Sequence, residues 1–341
     1  MKTIKNIKVP TGNILIVEGS QGKLEMLSLG DYGKDINIKC DALGLTREIS
    51  RVEHTKLLPL SKKWVITIST QYGCSMGCSF CDVPSVGKGK NVTFEDLIKQ
   101  VLTGIKLHPE ITSSERLNIH FARMGEPTWN PNVLEATKWL KTHIDPEFKI
   151  HPVVSTMMPK NNEWLKTFIH TWMRIKNRLL QGEAGLQLSI NSTDEALRET
   201  MFNGNACTLE QISKIMDGIV PNGRKITLNF AIYGNENVYE GHRYKGKVID
   251  PKILLKYFNP DDYLVKLTPM HKTLAAEKNG IRTAGDYTQY LPYQETERQI
   301  KAAGYDVLVF IASKEEDLGR ITCGNAILSG SLPCVPYKEI L

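Results

Sequence analysis

Six times between residues 64 and 303, a short run rich in β-branched and aromatic residues is followed by a stretch with helical periodicity. The runs are 64–70 (WVITIST), 116–122 (RLNIHFA), 151–156 (HPVVST), 185–191 (GLQLSIN), 225–233 (KITLNFAIY) and 264–270 (LVKLTPM). The helical stretches are 93–107, 130–142, 161–179, 194–202 with 208–219, 251–258 and 293–303. Strands that alternate with helices at this spacing predict a parallel sheet with helices outside it. Six units fall short of a closed eight-fold barrel, so the expected fold class is α/β with a partial (β/α)6 barrel. In such sheets the chemistry belongs to loops at the carboxyl ends of the strands. A further strand is expected at 307–312. The stretch from His271 and the region 280–290 read as exposed loops.

Ahead of the barrel, 13–18 (NILIVE), 24–28 (LEMLS) and 35–40 read as short strands broken by turns. They predict a small N-terminal β-rich extension. The expected organisation is an extension over 1–60, a barrel over 61–315 and a C-terminal substrate-side segment over 316–341. The chain of 341 residues is 23% charged and 41% hydrophobic, which excludes a disordered chain. Its formal net charge of +6 permits anionic partners without requiring them. No apolar run approaches the length of a membrane span, and the basic N-terminus lacks the apolar region of a signal peptide. Seven cysteines in so long a chain argue against a disulfide framework and for a reducing, cytoplasmic setting.

Three of those cysteines fall within eight residues, in Cys74-Ser-Met-Gly-Cys78-Ser-Phe-Cys81. Three soft thiolates in one tight loop suit an iron–sulfur cluster or zinc. A structural zinc wants a fourth protein ligand, and the nearest downstream histidine, His108, lies across a predicted helix. Other chemistry-bearing residues gather at strand ends. Gly125 and Glu126 in Arg123-Met-Gly-Glu-Pro127 pair a flexible backbone with a carboxylate able to accept from an ammonium. Ser155 ends the third strand, Ser189 and Asn191 end the fourth, and His271 follows the sixth. Such residues are often only local caps.

The spacing Cys-x3-Cys-x2-Cys after a first strand resembles the radical S-adenosylmethionine (SAM) superfamily. That resemblance implies a [4Fe–4S] cluster on Cys74, Cys78 and Cys81, and SAM cleaved to a 5′-deoxyadenosyl radical. It places Phe80 near the adenine, Gly125 and Glu126 at the SAM amino group, and Ser155, Ser189 and Asn191 at ribose and carboxylate. His271 is a candidate adenosine contact. An electron donor such as flavodoxin or ferredoxin follows as a partner.

Within the superfamily the chain is similar to the adenine methyltransferases of 23S ribosomal RNA and tRNA. The matching segments are Val52-Glu53 through Pro59, Thr70-Gln71-Tyr-Gly73-Cys74, Met124 to Pro127, Ser189 to Asn191, and Ile321-Thr-Cys323-Gly-Asn. By that likeness Glu53 acts as an acid or base and Cys323 accepts the methyl group. Three departures stand against it. Thr67 occupies the position of a second essential cysteine, and a hydroxyl forms no disulfide. The 73 residues before Cys74 leave little room for an RNA-binding helical domain. His271 replaces an expected asparagine. Those departures favour a small purine-like substrate, a 7-deazaguanine base, with carbon–nitrogen bond cleavage as in a queuine lyase. Glu53 or Cys323 would then move a proton or hydrogen atom. RNA methyl transfer is the alternative, and nucleic acid is a partner only under it. The short basic groups Lys62-Lys63 and Lys88 with Lys90 read as solvated surface.

Overall fold

The computed structural model describes residues 1–31, 39–40, 57–232, 238–239, 242–243, 249–281, 291–310 and 314–334. The chain begins with β1 (Lys2–Val9), β2 (Gly12–Gly19) and β3 (Gly22–Gly30), then β4 (Lys39–Cys40). A strand β5 (Trp64–Ile68) leads into the hairpin pair β6 (Gln71–Gly73) and β7 (Lys88–Asn91) and then α1 (Phe94–Lys106). Next come β8 (Ser114–Phe121), α2 (Asn132–His143), β9 (Phe148–Thr156), α3 (Leu165–Arg174) and β10 (Gly185–Ser189). The helices α4 (Glu195–Met201) and α5 (Leu209–Met216) precede β11 (Ile226–Ile232). The short pair β12 (Val238–Tyr239) and β13 (His242–Arg243) is followed by α6 (Pro251–Tyr257), β14 (Tyr263–Pro269) and α7 (Leu274–Lys278). The described chain closes with α8 (Leu291–Ala302), β15 (Asp306–Phe310) and α9 (Lys314–Leu318).

Eleven of the described strands form one sheet, in the order β1-β2-β3-β5-β8-β9-β10-β11-β14-β15-β4. From β5 to β15 every neighbouring pair is parallel and in chain order. The N-terminal strands join antiparallel, with β3 against β5, and β4 joins antiparallel to β15. The expected partial (β/α)6 barrel is therefore revised to a coarser description. The fold is α/β with a mostly parallel sheet, and the sheet is open at both edges among the described residues. It is also wider than six strands. The N-terminal strands extend the same hydrogen-bonded ladder, and β15 adds a seventh parallel strand.

Sequential parallel order with right-handed crossovers places the connecting helices on one face. Burial follows that rule with period two. On β11, Ile226, Leu228, Phe230 and Ile232 are buried, while Thr227, Asn229 and Ala231 are half-exposed. On β8, Leu117, Ile119 and Phe121 are fully buried, and His120 on the opposite face is not. Each fully buried Leu, Ile or Phe stabilises the fold by roughly 1.5–3 kcal/mol. The opposite face carries polar groups, among them Thr67, His120, Ser155, Gln187, Asn229 and Lys266. Lys266 Nζ reaches Gln187 Oε1 at 3.4 Å, two strands away, and lies 5.0 Å from the centre of the Phe310 ring. No described helix is long and apolar enough to cross a membrane.

The helices start where the sequence supplies caps. Thr93 accepts from the Asp96 amide at the start of α1. Thr208 and Gln211 form a reciprocal capping box at α5. The stretch expected as one helix over 161–179 is α3 followed by a single wide turn, Ile175–Leu179. The loop expected after β14 contains α7, capped by Thr273.

Candidate functional site

The cysteine loop leaves β6 and is held in place by backbone bonds from distant segments. The Cys74 amide donates to the Gly87 carbonyl at 3.0 Å, and the Ser79 amide donates to the Met201 carbonyl at 3.0 Å. Asn205 Nδ2 donates to the Met76 carbonyl (2.8 Å) and Asn279 Nδ2 to the Ser79 carbonyl (2.6 Å). Gly73 has φ of +82°, and a Cβ there would stand 2.1 Å from the Gly87 carbonyl oxygen. Only glycine fits that approach.

Burial pushes the Cys74 thiol up to about 12 and the Cys78 and Cys81 thiols well above their ordinary range. The charges of the three thiolates and of Glu126 add to the rise, so these groups lie within electrostatic reach of one another. Burial first, and mutual repulsion after it, disfavours the thiolate forms, and a metal centre supplies the charge that offsets both. Among the described residues no three His, Cys, Asp or Glu side chains are grouped tightly enough to hold one metal ion. One zinc would draw its sulfurs to about 3.8 Å from each other, given Zn–S bonds near 2.3 Å. A cubane instead takes one thiolate per iron and holds them further apart. The donor chemistry, three soft thiolates in one loop, suits an iron–sulfur cluster.

The segment with Gly125 and Glu126 lies against the lead-in to this loop. The Thr70 amide donates to the Met124 carbonyl (2.8 Å), and the Glu126 amide donates to Gln71 Oε1 (2.9 Å). Gly125 has φ of +96°, and a Cβ there would meet Gln71 Cβ at 2.5 Å. The Glu126 carboxylate is buried and accepts from the Thr128 amide (3.0 Å), Thr128 Oγ1 (2.7 Å) and the Met157 amide (2.8 Å). Burial still outweighs these bonds and raises its pKa. The Thr156 hydroxyl is a fourth donor, so protein groups already occupy the roughly four lone-pair sites of this carboxylate, and an ammonium would meet it mainly through charge.

The other predicted residues fall as follows. Phe80 is buried and meets Phe202 edge-on, with ring centres 6.1 Å apart. Ser155 is half-buried, and its hydroxyl accepts from Gln187 Nε2 at 3.3 Å. Ser189 lies in register with Asn229 of β11. Asn191 adopts φ of +59°, and its Oδ1 accepts from the Ala231 amide at 3.1 Å, tying β10 to β11. His271 is buried, with Nδ1 3.3 Å from Asp317 Oδ1. Glu53 lies outside the described residues. Thr67 sits on the polar face of β5, in register with Leu27 and His120.

Cys323 is brought onto the cysteine loop from 242 residues further along the chain than Cys81. The Asp82 amide donates to the Gly324 carbonyl at 2.8 Å. A Cβ on Gly324 would lie 3.3 Å from the Phe80 carbonyl oxygen and 3.9 Å from Cys81 Cα. The Cys323 side chain is open to solvent, yet protein surrounds it closely enough that desolvation pushes its thiol up. Lys266 and Arg123 pull the other way. Asp317 supports the turn by accepting from Thr322 Oγ1 at 2.9 Å. Sequence reasoning gave no role to Lys266, Asp317, Gln71 or Asn205. No spacing pattern in the sequence marks any of them.

A cleft of about 570 Å³ opens at the amino ends of β8 and β9, lined by Lys62, Arg116, Lys141, Lys149 and His151 among others. It lies at the opposite end of the strands from every residue above, so it is not the candidate site. Lys62 pairs there with Glu115, and Lys63 pairs with Asp31 at 2.6 Å.

This open, mostly parallel α/β fold is shared with a known solved structure. The crystal structure of a radical SAM methyltransferase from Sphaerobacter thermophilus matches with a TM-score of 0.63. The match covers 95% of this chain and 80% of that one at 17% identity, a level that speaks for fold. In sequence, the chain is 28% identical over 222 residues to a dual-specificity RNA methyltransferase RlmN from Marinomonas sp., covering 60% of this chain and 56% of the relative. It is 23% identical over 261 residues to RlmN from Aliarcobacter butzleri, covering 73% of this chain and 68% of the relative. The chain spans little more than half the length of the Marinomonas relative. No family model matches. These radical SAM likenesses imply SAM and a [4Fe–4S] cluster as the cofactors.

The relatives correct one expectation. A small nucleobase-like substrate was favoured, with a lyase reaction on it, but the relatives are RNA methyltransferases. The lyase reading drew on Thr67 and on the short N-terminal region. Thr67 is a single local departure, whereas five segments match in order along the chain.

Proposed function

We propose that this chain is a radical SAM methyltransferase acting on RNA, with adenine as the base and Cys323 as the methyl acceptor. The observation that supports this best is the seating of the Cys323 turn on the cysteine loop through the bond from Asp82 to Gly324. A cysteine with no part in the chemistry has no need to be open to solvent at that position. In this reading Cys74, Cys78 and Cys81 hold the cluster, which supplies the electron for SAM cleavage. Glu126 draws the SAM ammonium by its charge, and Gly125 allows the approach. Ser155, Ser189, Asn191 and His271 line the rest of the SAM site, and Phe80 backs it. The Cys323 thiol loses its proton, assisted by Lys266 and Arg123; its sulfur would bond to the methyl carbon of SAM as the methyl–sulfonium bond breaks and S-adenosylhomocysteine leaves. Glu53 serves as an acid or base toward the substrate. In this reading 61–315 is the partial barrel, 316–341 the C-terminal substrate-side segment and 1–60 the β-rich extension. Reactive thiols of this kind suit a reducing, cytoplasmic setting.

Thr67 cannot resolve a covalent adduct through a disulfide, so in this reading an external thiol supplies the second sulfur that releases Cys323 from the RNA. The test is anaerobic reconstitution with iron and sulfide, then incubation with methyl-labelled SAM, dithionite and total RNA. Label is expected in RNA, and Cys323→Ala is expected to abolish it. Formation of 5′-deoxyadenosine with no label in RNA would overturn the proposal.

A further inference from the structure

The most heavily bonded buried charge near the site belongs to Glu25 on β3. Its carboxylate accepts from Arg123 Nε at 2.9 Å and from Arg123 Nη2. It also accepts from the Ile327 amide at 3.1 Å and the Leu328 amide at 3.1 Å. The Glu25 side chain is fully buried, and that of Arg123 is 3% exposed. Arg123 Nη2 donates in addition to the Arg320 carbonyl at 3.0 Å. One ion pair thus grips the Cys323 turn on both sides, at Arg320 before it and at Ile327 and Leu328 after it. Arg123 is also the second residue before Gly125, and its amide donates to the Ile68 carbonyl at 3.0 Å.

A buried ion pair is weak evidence for stability, because a well-packed apolar pair can serve as well. What this pair fixes is geometry. The Cys323 turn has its own internal support: Asn325 Nδ2 donates to Thr322 Oγ1 at 3.0 Å, and Thr322 donates to Asp317. Ile321 and Ile327 also pack against Leu27 and the N-terminal strands, so without Glu25 the turn can stay folded and seated, yet it would lose its directional polar link to β3 and to the turn that carries Glu126. We propose that Glu25 and Arg123 are positioning residues that hold Cys323 in register with the Gly125–Glu126 turn, so that the N-terminal strands set the methyl acceptor against the SAM side. This rests on the function proposed above.

Two variants test it: Glu25→Gln, which keeps size and removes charge, and the double variant Glu25→Met with Arg123→Met, which leaves no unpaired buried charge. Two properties of the cluster-free protein are read first. Hydrogen exchange at Ile327 and Leu328 is expected to quicken at least tenfold, and alkylation of Cys323 to change at least threefold. In reconstituted protein the ratio of methylated Cys323 to 5′-deoxyadenosine is expected to fall at least tenfold in the double variant, with Glu25→Asp restoring part of it. Unchanged exchange and alkylation would overturn the positioning role. So would methylated Cys323 and 5′-deoxyadenosine falling in parallel, the mark of general damage. If the wild-type protein shows no methylated Cys323, the proposed function fails, while the exchange and alkylation measurements still decide whether the clamp exists.

Discussion

Gly125 shows how closely single residues are constrained beside the thiol loop. Its φ of +96° and the 2.5 Å approach to Gln71 Cβ leave no space for a side chain. Gly125→Ala is expected to destabilise the protein by about 1–3 kcal/mol and to weaken SAM binding, as read by denaturant unfolding and isothermal titration. At this scale the sequence was uneven. The three cysteines were legible because their spacing is rare, and Gly125 with Glu126 because a glycine beside an acid at a strand end is a recognisable pair. Glu25 was not legible. It is one acid inside the apolar run LEMLS, and its partners are Arg123 and two amides about 300 residues away. Nothing local predicts a contact closed only by the full fold.

Elements were easier to read than contacts, because local physics sets them. Period-two runs became β8, β9, β11 and β14, and the threonine caps became the starts of α1 and α5. Thr208→Ala removes half of the α5 capping box and is expected to cost about 1 kcal/mol, read from the shift of the unfolding midpoint. What was missed were short pieces held by tertiary partners. The pair β6 and β7 forms where Gln71 Nε2 donates to the Gly89 carbonyl (2.8 Å) and Asn91 Oδ1 (2.8 Å). The first strand β1 was passed over because lysines interrupt its alternation, yet it pairs with β2 along nearly its whole length.

At the scale of the whole molecule, the two ends of the sheet behave differently. The carboxyl end gathers thiols, Glu126 and the Cys323 turn. The amino end gathers His151, Arg116, Arg224 and Glu183. Burial, then the Arg116 charge, lowers His151 to about 4, although Glu183 stands 3.2 Å from its Nδ1 and acts to raise it. The folded state holds this histidine neutral. Its contribution to stability is therefore complete above the ordinary value of 6.5 and is lost as pH falls from 6.5 through about 4. Urea unfolding of the cluster-free protein is expected to show that loss, with a slope of up to about 1.4 kcal/mol per pH unit from one proton. His151→Gln is expected to flatten it. The sheet order explains why fold class was legible and substrate was not. Strand and helix alternation dictates a parallel sheet, whereas the choice between a free base and RNA depends on surfaces that one chain's periodicity does not encode.

The central claim is that Cys323 carries the methyl group. Peptide mass spectrometry of reconstituted protein after turnover with SAM and dithionite, without RNA, addresses it directly. The account predicts that the peptide containing Cys323 becomes one methyl group heavier, while those containing Cys207 and Cys334 do not. An unmodified Cys323 in protein that has formed 5′-deoxyadenosine would contradict it.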